Sequence, residues 1–260
     1  MIIAKGQKEM LETKLCGRPA FFYEKTDSTN TRAKLFAESG EKYGHEPIVF
    51  LSRTQSAGRG TRARTFESPE GGLYMSLLFK PTLPKEIFTN LTAYTAVAVC
   101  RAIERITGSL SPKIKWVNDI TVNDKKLAGI LTEGSLSPTG ECEYAIIGIG
   151  LNLRAADHTE EVKGIMTTLS ECGFEASAEA CAEAVLTELL PLLKGEENTK
   201  VMAEYRTRSS VIGRTVNVRS SGECITVLAT DITDGGTLIC RDNNGALYEY
   251  RSGDVSILPV

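Results

Sequence analysis

The 260-residue sequence has only two histidines, His45 and His158, and its seven cysteines (Cys16, Cys100, Cys142, Cys172, Cys181, Cys224, Cys240) form an odd, scattered set with no CxxC pair. That pattern argues against a zinc site and against a disulfide framework. No stretch approaches the ~18 consecutive apolar residues that a membrane span needs. The opening MIIAKGQKEMLETKL lacks the apolar core and small-residue cleavage site of a signal peptide. A reducing cytoplasm is the expected location, with no membrane contact. Internal repeats and low-complexity tracts are missing too. The formal net charge of −3 leaves no whole-protein nucleic-acid footprint, so any anion site must be local.

With 42% hydrophobic residues, the chain is long enough for one sizeable core and a small appended domain. Residues 20–206 read as one mixed α/β domain. Ser28, Thr29 and Asn30 supply N-cap chemistry for a helix through Glu38, stopped at Gly40. Residues 48–51 form a short strand leading to Gln55 and the loop AGRGTRARTFESPEGG (57–72), and residues 73–79 form another strand, ended by Pro81. Leu91, Tyr94, Val97, Val99, Ile103 and Ile106 recur at the spacing of an amphipathic helix that should cover the sheet. Residues 178–193 and 199–205 read as further helices. Past Arg208 the pattern changes to five short strands (215–219, 224–230, 237–241, 247–251, 255–258) with turn signals at Asp234-Gly235-Gly236 and Asn243-Asn244-Gly245. That predicts a small β-barrel.

Three segments carry chemistry. In KWVNDITVNDKKLAGIL (115–131), β-branched and apolar runs flank an Asn123-Asp124 turn, which predicts a hairpin. A half-buried Lys126 beside Gly129 could hold a carboxylate or phosphate, although lysines after hairpin turns are ordinarily solvated. The loop at 58–64 combines two glycines with Arg59, Arg62 and Arg64, suited to an anion or simply to solvent. In EYAIIGIGLNL (143–153), Gly148 and Gly150 share one strand face, which points either to a ligand or to close packing of another element.

Taken together, Ser28-Thr29-Asn30, Gln55, the Gly-Arg-Gly loop, GGLYMSLL (71–78), KWVND, KKLAGIL and GIGLN (148–152) occur in the order found in biotin protein ligases. The sequence resembles that family over about residues 20–155. The resemblance implies an α+β fold: a mixed β-sheet with helices packed on it, class II synthetase-like, followed by a small SH3-like β-barrel. The domains are expected at 1–208 and 209–260. It implies an ATP-dependent, AMP-forming ligase that makes biotinyl-5′-AMP and transfers biotin to a lysine of a biotin carboxyl carrier protein or domain. Biotin and ATP are its substrates, with Mg²⁺ and no fixed protein metal site.

Carried over by position, the biotin side would comprise Ser28, Thr29, Asn30, Gln55, Gly58, Arg59, Gly60, Lys126, Gly129 and Gly148. The nucleotide side would comprise Arg64, Asn118, Asp119, Lys126 and Asn152. The catalytic set would be Lys126, Arg59 and Asp119, with Lys126 bridging the biotin carboxylate and the α-phosphate. Lys126 and Mg²⁺ would neutralise phosphate charge as the carboxylate attacks phosphorus. Asp119 would help hold Mg²⁺ or orient Lys126, or else only stabilise the turn. Trp116 reads as core.

The family pattern GRGRxGR is GRGTRAR here, so Thr61 stands where arginine is expected and Ala63 where glycine is common. Arg62 could stand in for the missing charge only if the loop shifted by one residue. Repressor members carry an N-terminal helix-turn-helix, for which residues 1–19 are too few, so no operator binding is expected. A homodimer is possible. Two other readings stay open: a lipoate-type ligase on the same fold, and a non-catalytic nucleic-acid binder using the arginine loop. The latter is weakened by the net charge and by a C-terminal segment whose only aromatics are Tyr248 and Tyr250.

Overall fold

In this computed structural model, which describes residues 10–40, 46–80, 88–138, 141–194, 198–220 and 222–257, local turn chemistry sets the strand pairings. Cys16-Gly17 (φ 48° and 75°) and Asn123-Asp124 (φ 50° and 61°) are consecutive left-handed pairs, the conformation of a tight two-residue hairpin turn. The chain divides into two compact units, residues 1–82 with 130–183 and residues 83–129 with 184–260.

In the first unit, Cys16-Gly17 joins β1 (Met10–Leu15) to β2 (Arg18–Thr26). Helix α1 (Thr29–Glu38) then carries the chain to β3 (Ile48–Gln55), which runs parallel to β2. β4 (Gly72–Phe79) pairs antiparallel with β3 and with β8 (Cys142–Asn152), and β7 (Lys125–Leu136) follows β8 in the strand order β1-β2-β3-β4-β8-β7. The central strands β4 and β8 are buried along nearly their whole length, which is why they read as mostly apolar runs. Helix α1 lies over β3, β4 and β8. Phe36 of α1 meets Phe21 and Phe50 with ring centroids 5.3–5.8 Å apart among the three, joined by Tyr23, Ile48, Leu78 and Ile146. Helix α3 (Glu160–Ile165) completes the unit.

In the second unit, β5 (Lys113–Lys115) pairs with β6 (Asp119–Val122), and β6 pairs with the opening residues of β7 (Lys125–Leu136). Helix α2 (Leu91–Thr107) packs on β5 and β6 and also against α5 (Asn198–Thr207). It is therefore buried on more of its circumference than the expected amphipathic stripe, with Ala93, Ala96, Ala98 and Ala102 filling the added faces. It ends at Gly108 in the left-handed conformation. Arg208 pairs with Glu104 and Glu204, and Arg101 with Glu204, which fastens α2 to α5. Helix α4 (Ala178–Leu192) begins in the first unit and ends in the second.

The C-terminal strands are β9 (Thr215–Ser220), β10 (Glu223–Ile232), β11 (Leu238–Arg241), β12 (Leu247–Tyr250) and β13 (Asp254–Ile257). They form an open five-stranded antiparallel sheet of order β12-β11-β10-β9-β13, which corrects the expectation of a β-barrel. Closure needs the outermost strands to form a ladder with each other at matched tilt and stagger. Among the described residues β12 pairs with β11 and β13 with β9, each through only four residues, and no ladder joins β12 to β13. Trp116 is buried and its Nε1 donates to Gly236 O at 2.9 Å, holding the β5–β6 turn against the turn between β10 and β11. Pro81 and Leu258, the expected ends of two strands, lie outside the described residues.

Candidate active site

Of the residues expected on the biotin side, Thr29, Asn30, Gln55 and Arg59 belong to one hydrogen-bond chain in the first unit. Ser28 occupies the N-cap position of α1, but its hydroxyl makes no capping bond. Asp27 does part of that work, accepting the Ser28 N–H at 2.6 Å and both arms of Arg32. Burial raises the Asp27 carboxyl, but hydrogen bonds from Arg32, the Ser28 N–H and the Thr26 hydroxyl outweigh it and hold the group below the usual carboxylate range.

Thr29 N–H donates to Gln55 Oε1 at 2.8 Å, and Gln55 Nε2 donates to Ser68 Oγ at 2.8 Å. The Ser68 hydroxyl in turn donates to Phe66 O at 2.9 Å. Ser76 Oγ lies 2.6 Å from Asn30 Oδ1 and 2.7 Å from Thr29 Oγ1. Asn30 Oδ1 can only accept, so the single Ser76 proton goes there, while the one Thr29 hydroxyl proton has both Ser76 Oγ and, at 3.2 Å, Gln55 Oε1 within reach. Asn30 Nδ2 then donates to Glu133 Oε2 at 2.8 Å. Both arms of this chain start at Thr29. Thr29, Asn30, Ser68 and Ser76 are all buried, in a setting where satisfied polar groups rigidify and unsatisfied ones cost dearly.

Residues 58–66 form a small hairpin of their own. Phe66 N–H donates to Gly58 O at 2.9 Å, Arg59 bridges Thr65, and Gly60 N–H donates to Arg64 O at 2.7 Å. The tip is a single 3-10 turn, Thr61–Ala63, with Arg62 at φ 57°. Gly58 is required by proximity: a Cβ there would lie 2.3 Å from Phe66 O and 2.5 Å from Ser68 Oγ. Arg59 reaches Glu133 bidentately, at 2.7 Å and 3.2 Å. Arg64 is exposed and its Nη2 donates to Thr61 Oγ1 at 3.1 Å, so Thr61, the departure from the family pattern, receives a guanidinium in place of supplying one. The fixed register leaves Arg62 at the tip; shifting it by one residue would break all three cross-loop pairings.

The two glycines of β8 serve close packing. Gly148 stands opposite Ser76 and Gly150 opposite Tyr74. A Cβ on Gly148 would lie 2.2 Å from Asn30 Oδ1, and one on Gly150 would lie 2.5 Å from the Phe66 ring. Asn152, buried at the end of β8, donates from Nδ2 to Thr167 O at 3.3 Å and accepts the Leu169 N–H at 3.0 Å.

In the second unit, Lys126 Nζ lies 2.6 Å from Asp119 Oδ1, both side chains being about a quarter exposed (30% and 23%). The register explains the pair. Thr121 faces Lys126 and Ile120 faces Ala128, so Leu127 is the extra residue of a bulge, which puts Lys126 and Asp119 diagonally on one face. Gly129 is buried directly opposite Asp119, and Asn118 is half-buried in the preceding turn. Tyr205 OH donates to Val117 O at 2.9 Å from beneath that turn, and burial pushes its phenol far up. Among the described residues no three His, Cys, Asp or Glu side chains gather as metal ligands, and no helix is long and apolar enough to cross a membrane.

Sequence reasoning passed over Ser76, Ser68, Glu133 and Asp27. Ser76 did leave a signal, as the lone serine within the apolar run of GGLYMSLL.

Residues 22–152 match the biotin/lipoate A/B protein ligase family, and residues 211–258 match the biotin protein ligase C-terminal domain. The chain is similar to the bifunctional ligase/repressor BirA of Bacillus subtilis, 30% identical over 257 residues that make up 95% of this chain and 76% of that protein. It is also similar to the biotin ligase of acetyl-CoA carboxylase from Mycobacterium tuberculosis, 29% identical over 238 residues, 88% of this chain and 85% of that one. Among solved structures, the biotin protein ligase from Aquifex aeolicus in complex with biotin and ATP superposes with a TM-score of 0.77 at 26% identity, covering 93% of this chain and 99% of that one. With half of its length under the family's description, its C-terminal sheet under that of the biotin enzymes, and a relative 30% identical over 95% of this chain, the chain belongs to the biotin/lipoate A/B protein ligase family, as a biotin protein ligase.

Proposed function

We propose that this chain activates biotin with ATP to biotinyl-5′-AMP and transfers the biotin to a lysine of a biotin carboxyl carrier protein or domain. The observation that carries the reading is the likeness, over 93% of the chain, to a ligase solved with biotin and ATP together.

The residue roles belong to the same proposal. Ser28, Thr29, Asn30 and Gln55 receive the biotin head group, and the hydrogen-bond chain that orders Thr29, Asn30 and Gln55 supports this. The hairpin bearing Gly58, Arg59 and Gly60 closes over biotin and keeps water from a mixed anhydride that would hydrolyse. Lys126 offsets the charge that opposes attack of the biotin carboxylate on the α-phosphorus, and its contact with Asp119 orients it. Gly129 and Gly148 shape the biotin side. Asn118, Asp119, Asn152 and Arg64 belong to the nucleotide. Mg²⁺ entering with ATP supplies further neutralisation; the single carboxylate of Asp119 suits an ion held mainly by substrate phosphates.

The functional division at 1–208 and 209–260 is supported by the two family matches, 22–152 and 211–258. A cytoplasmic location is supported by seven free cysteines. A homodimer is supported by the outer strand β1, which ends the strand order and exposes 64% of Leu11. Sedimentation tests the dimer.

The activity is tested by biotin-dependent ATP–pyrophosphate exchange with the purified chain, run beside lipoate and octanoate. Exchange with biotin alone is expected. Exchange with lipoate would move the substrate to the other branch of the family.

A further inference from the structure

The Arg59–Glu133 pair calls for more explanation than an ordinary surface ion pair. Exposed pairs contribute little to stability, and Arg59 is 44% exposed. Glu133, however, is only 27% exposed, and its carboxylate is fully engaged. Oε1 takes one arm of Arg59 at 2.7 Å, while Oε2 takes the other arm at 3.2 Å and the buried Asn30 amide at 2.8 Å. Asn30 cannot turn away freely, since its Oδ1 fills the space that the missing Cβ of Gly148 leaves and accepts from Ser76. The other flank of the 58–66 hairpin is fastened to the same chain, through Phe66, Ser68, Gln55 and Thr29.

We propose that Glu133 is a positioning residue for biotin activation: it anchors the 58–66 hairpin through Arg59 and couples that anchor, through Asn30, to the α1 network. The inference rests on the ligase reading and adds to it a residue that no sequence motif singles out. Because Glu133 neutralises Arg59, the guanidinium acts by fixing the loop, while charge at the reacting atoms is left to Lys126. A ligand that recruits Thr29 and Gln55 draws on the same chain that holds the loop, so occupation of the biotin side and loop order are linked. A bidentate carboxylate–guanidinium contact supplies the directional hold that this linkage needs.

The test uses the full chain with Glu133→Ala, Glu133→Gln, Arg59→Ala and the double variant Glu133→Ala/Arg59→Ala. Exchange kinetics should show the biotin KM raised about tenfold in Glu133→Ala with the ATP KM within about twofold, and release of preformed labelled biotinyl-AMP about tenfold faster. Arg59→Ala, which leaves the Glu133–Asn30 bond in place, should raise it by no more than Glu133→Ala does, and the double variant should be no worse than Glu133→Ala, the signature of two residues acting through one contact. Glu133→Gln keeps an acceptor for Asn30 but not the charge for Arg59, and should fall between wild type and Glu133→Ala.

Effects that multiply in the double variant, or an equal rise in both KM values, would overturn the proposal. A second readout does not depend on activity. Trypsin should cut after the exposed Arg62 and Arg64 about tenfold faster in Glu133→Ala than in wild type, because proteolysis follows the population of the opened loop. If wild type shows no exchange with biotin, the ligase reading fails, and the cleavage rates alone decide the anchor: equal rates reject it.

Discussion

Gly148 and Asn30 fit together only because one of them has no side chain: a Cβ on Gly148 would sit 2.2 Å from Asn30 Oδ1 and 2.9 Å from its Cγ. β8 therefore approaches α1 closely enough for Asn30 to reach Ser76 on the neighbouring strand. Gly148→Ala should displace the Asn30 amide and break its bond to Ser76, destabilising the protein by about 1–3 kcal/mol in urea unfolding and raising the biotin KM. In the Gly148→Ala/Asn30→Ala double variant the clash is gone, so its loss of stability should be smaller than the sum of the single losses. Strict additivity would remove the steric explanation.

Lys126 carries the prediction on chemistry. Lys126→Ala should lower the rate of biotin-dependent pyrophosphate exchange by about 10²–10³-fold, the scale of losing one preorganised charge at a developing anion. Biotin affinity measured by calorimetry should change much less. Equal losses in both would mean that the lysine serves binding in the ground state.

Tyr205 supports the turn that presents Asn118 and Asp119. Tyr205→Phe leaves Val117 O without its 2.9 Å donor in a buried place and should cost about 1–2 kcal/mol. For a chain of this size that lowers the thermal midpoint by roughly 2–8 °C. Differential scanning calorimetry measures the shift, and an unchanged midpoint would show that water replaces the phenol.

Asp27 sets an acid limit. Its folded-state pKa lies below its unfolded value, so its contribution to stability is present above about pH 4 and is lost as pH falls through the lower folded value. Asp27→Asn should flatten the decline of the urea midpoint between about pH 5 and about pH 3 relative to wild type. A parallel decline in the two proteins would assign acid sensitivity to other groups.

Much of this molecule could be read from its residues. The Asn123-Asp124 turn, the helix opening after Ser28 and the glycine pair of β8 are local statements, fixed by left-handed tolerance, capping position and the period of a strand, and the structure places each where those rules put it. The hairpin at 58–66 was harder to see because its pairings are short and its tip holds three residues without a turn signature. Glu133 was invisible for another reason. On a strand whose burial falls away after Ile130, an acidic residue looks like any solvated one, and only its three-dimensional neighbours reveal what holds it. The C-terminal strands were identified correctly one by one, but whether they close into a ring depends on pairing between the first and last of a set, which strand lengths and turn signals do not encode.

Between Gly58 and Phe66 the backbone is gripped at three rungs, which has a consequence for descent. A segment clamped at both ends tolerates a change of letter far better than a change of count. Replacing an arginine by Thr61 leaves the rungs opposite one another, whereas inserting or deleting one residue would misalign the arms and pull Arg59 off Glu133. Variation among related sequences should therefore accumulate here as substitutions at the tip, with the number of residues between the two flanks held constant.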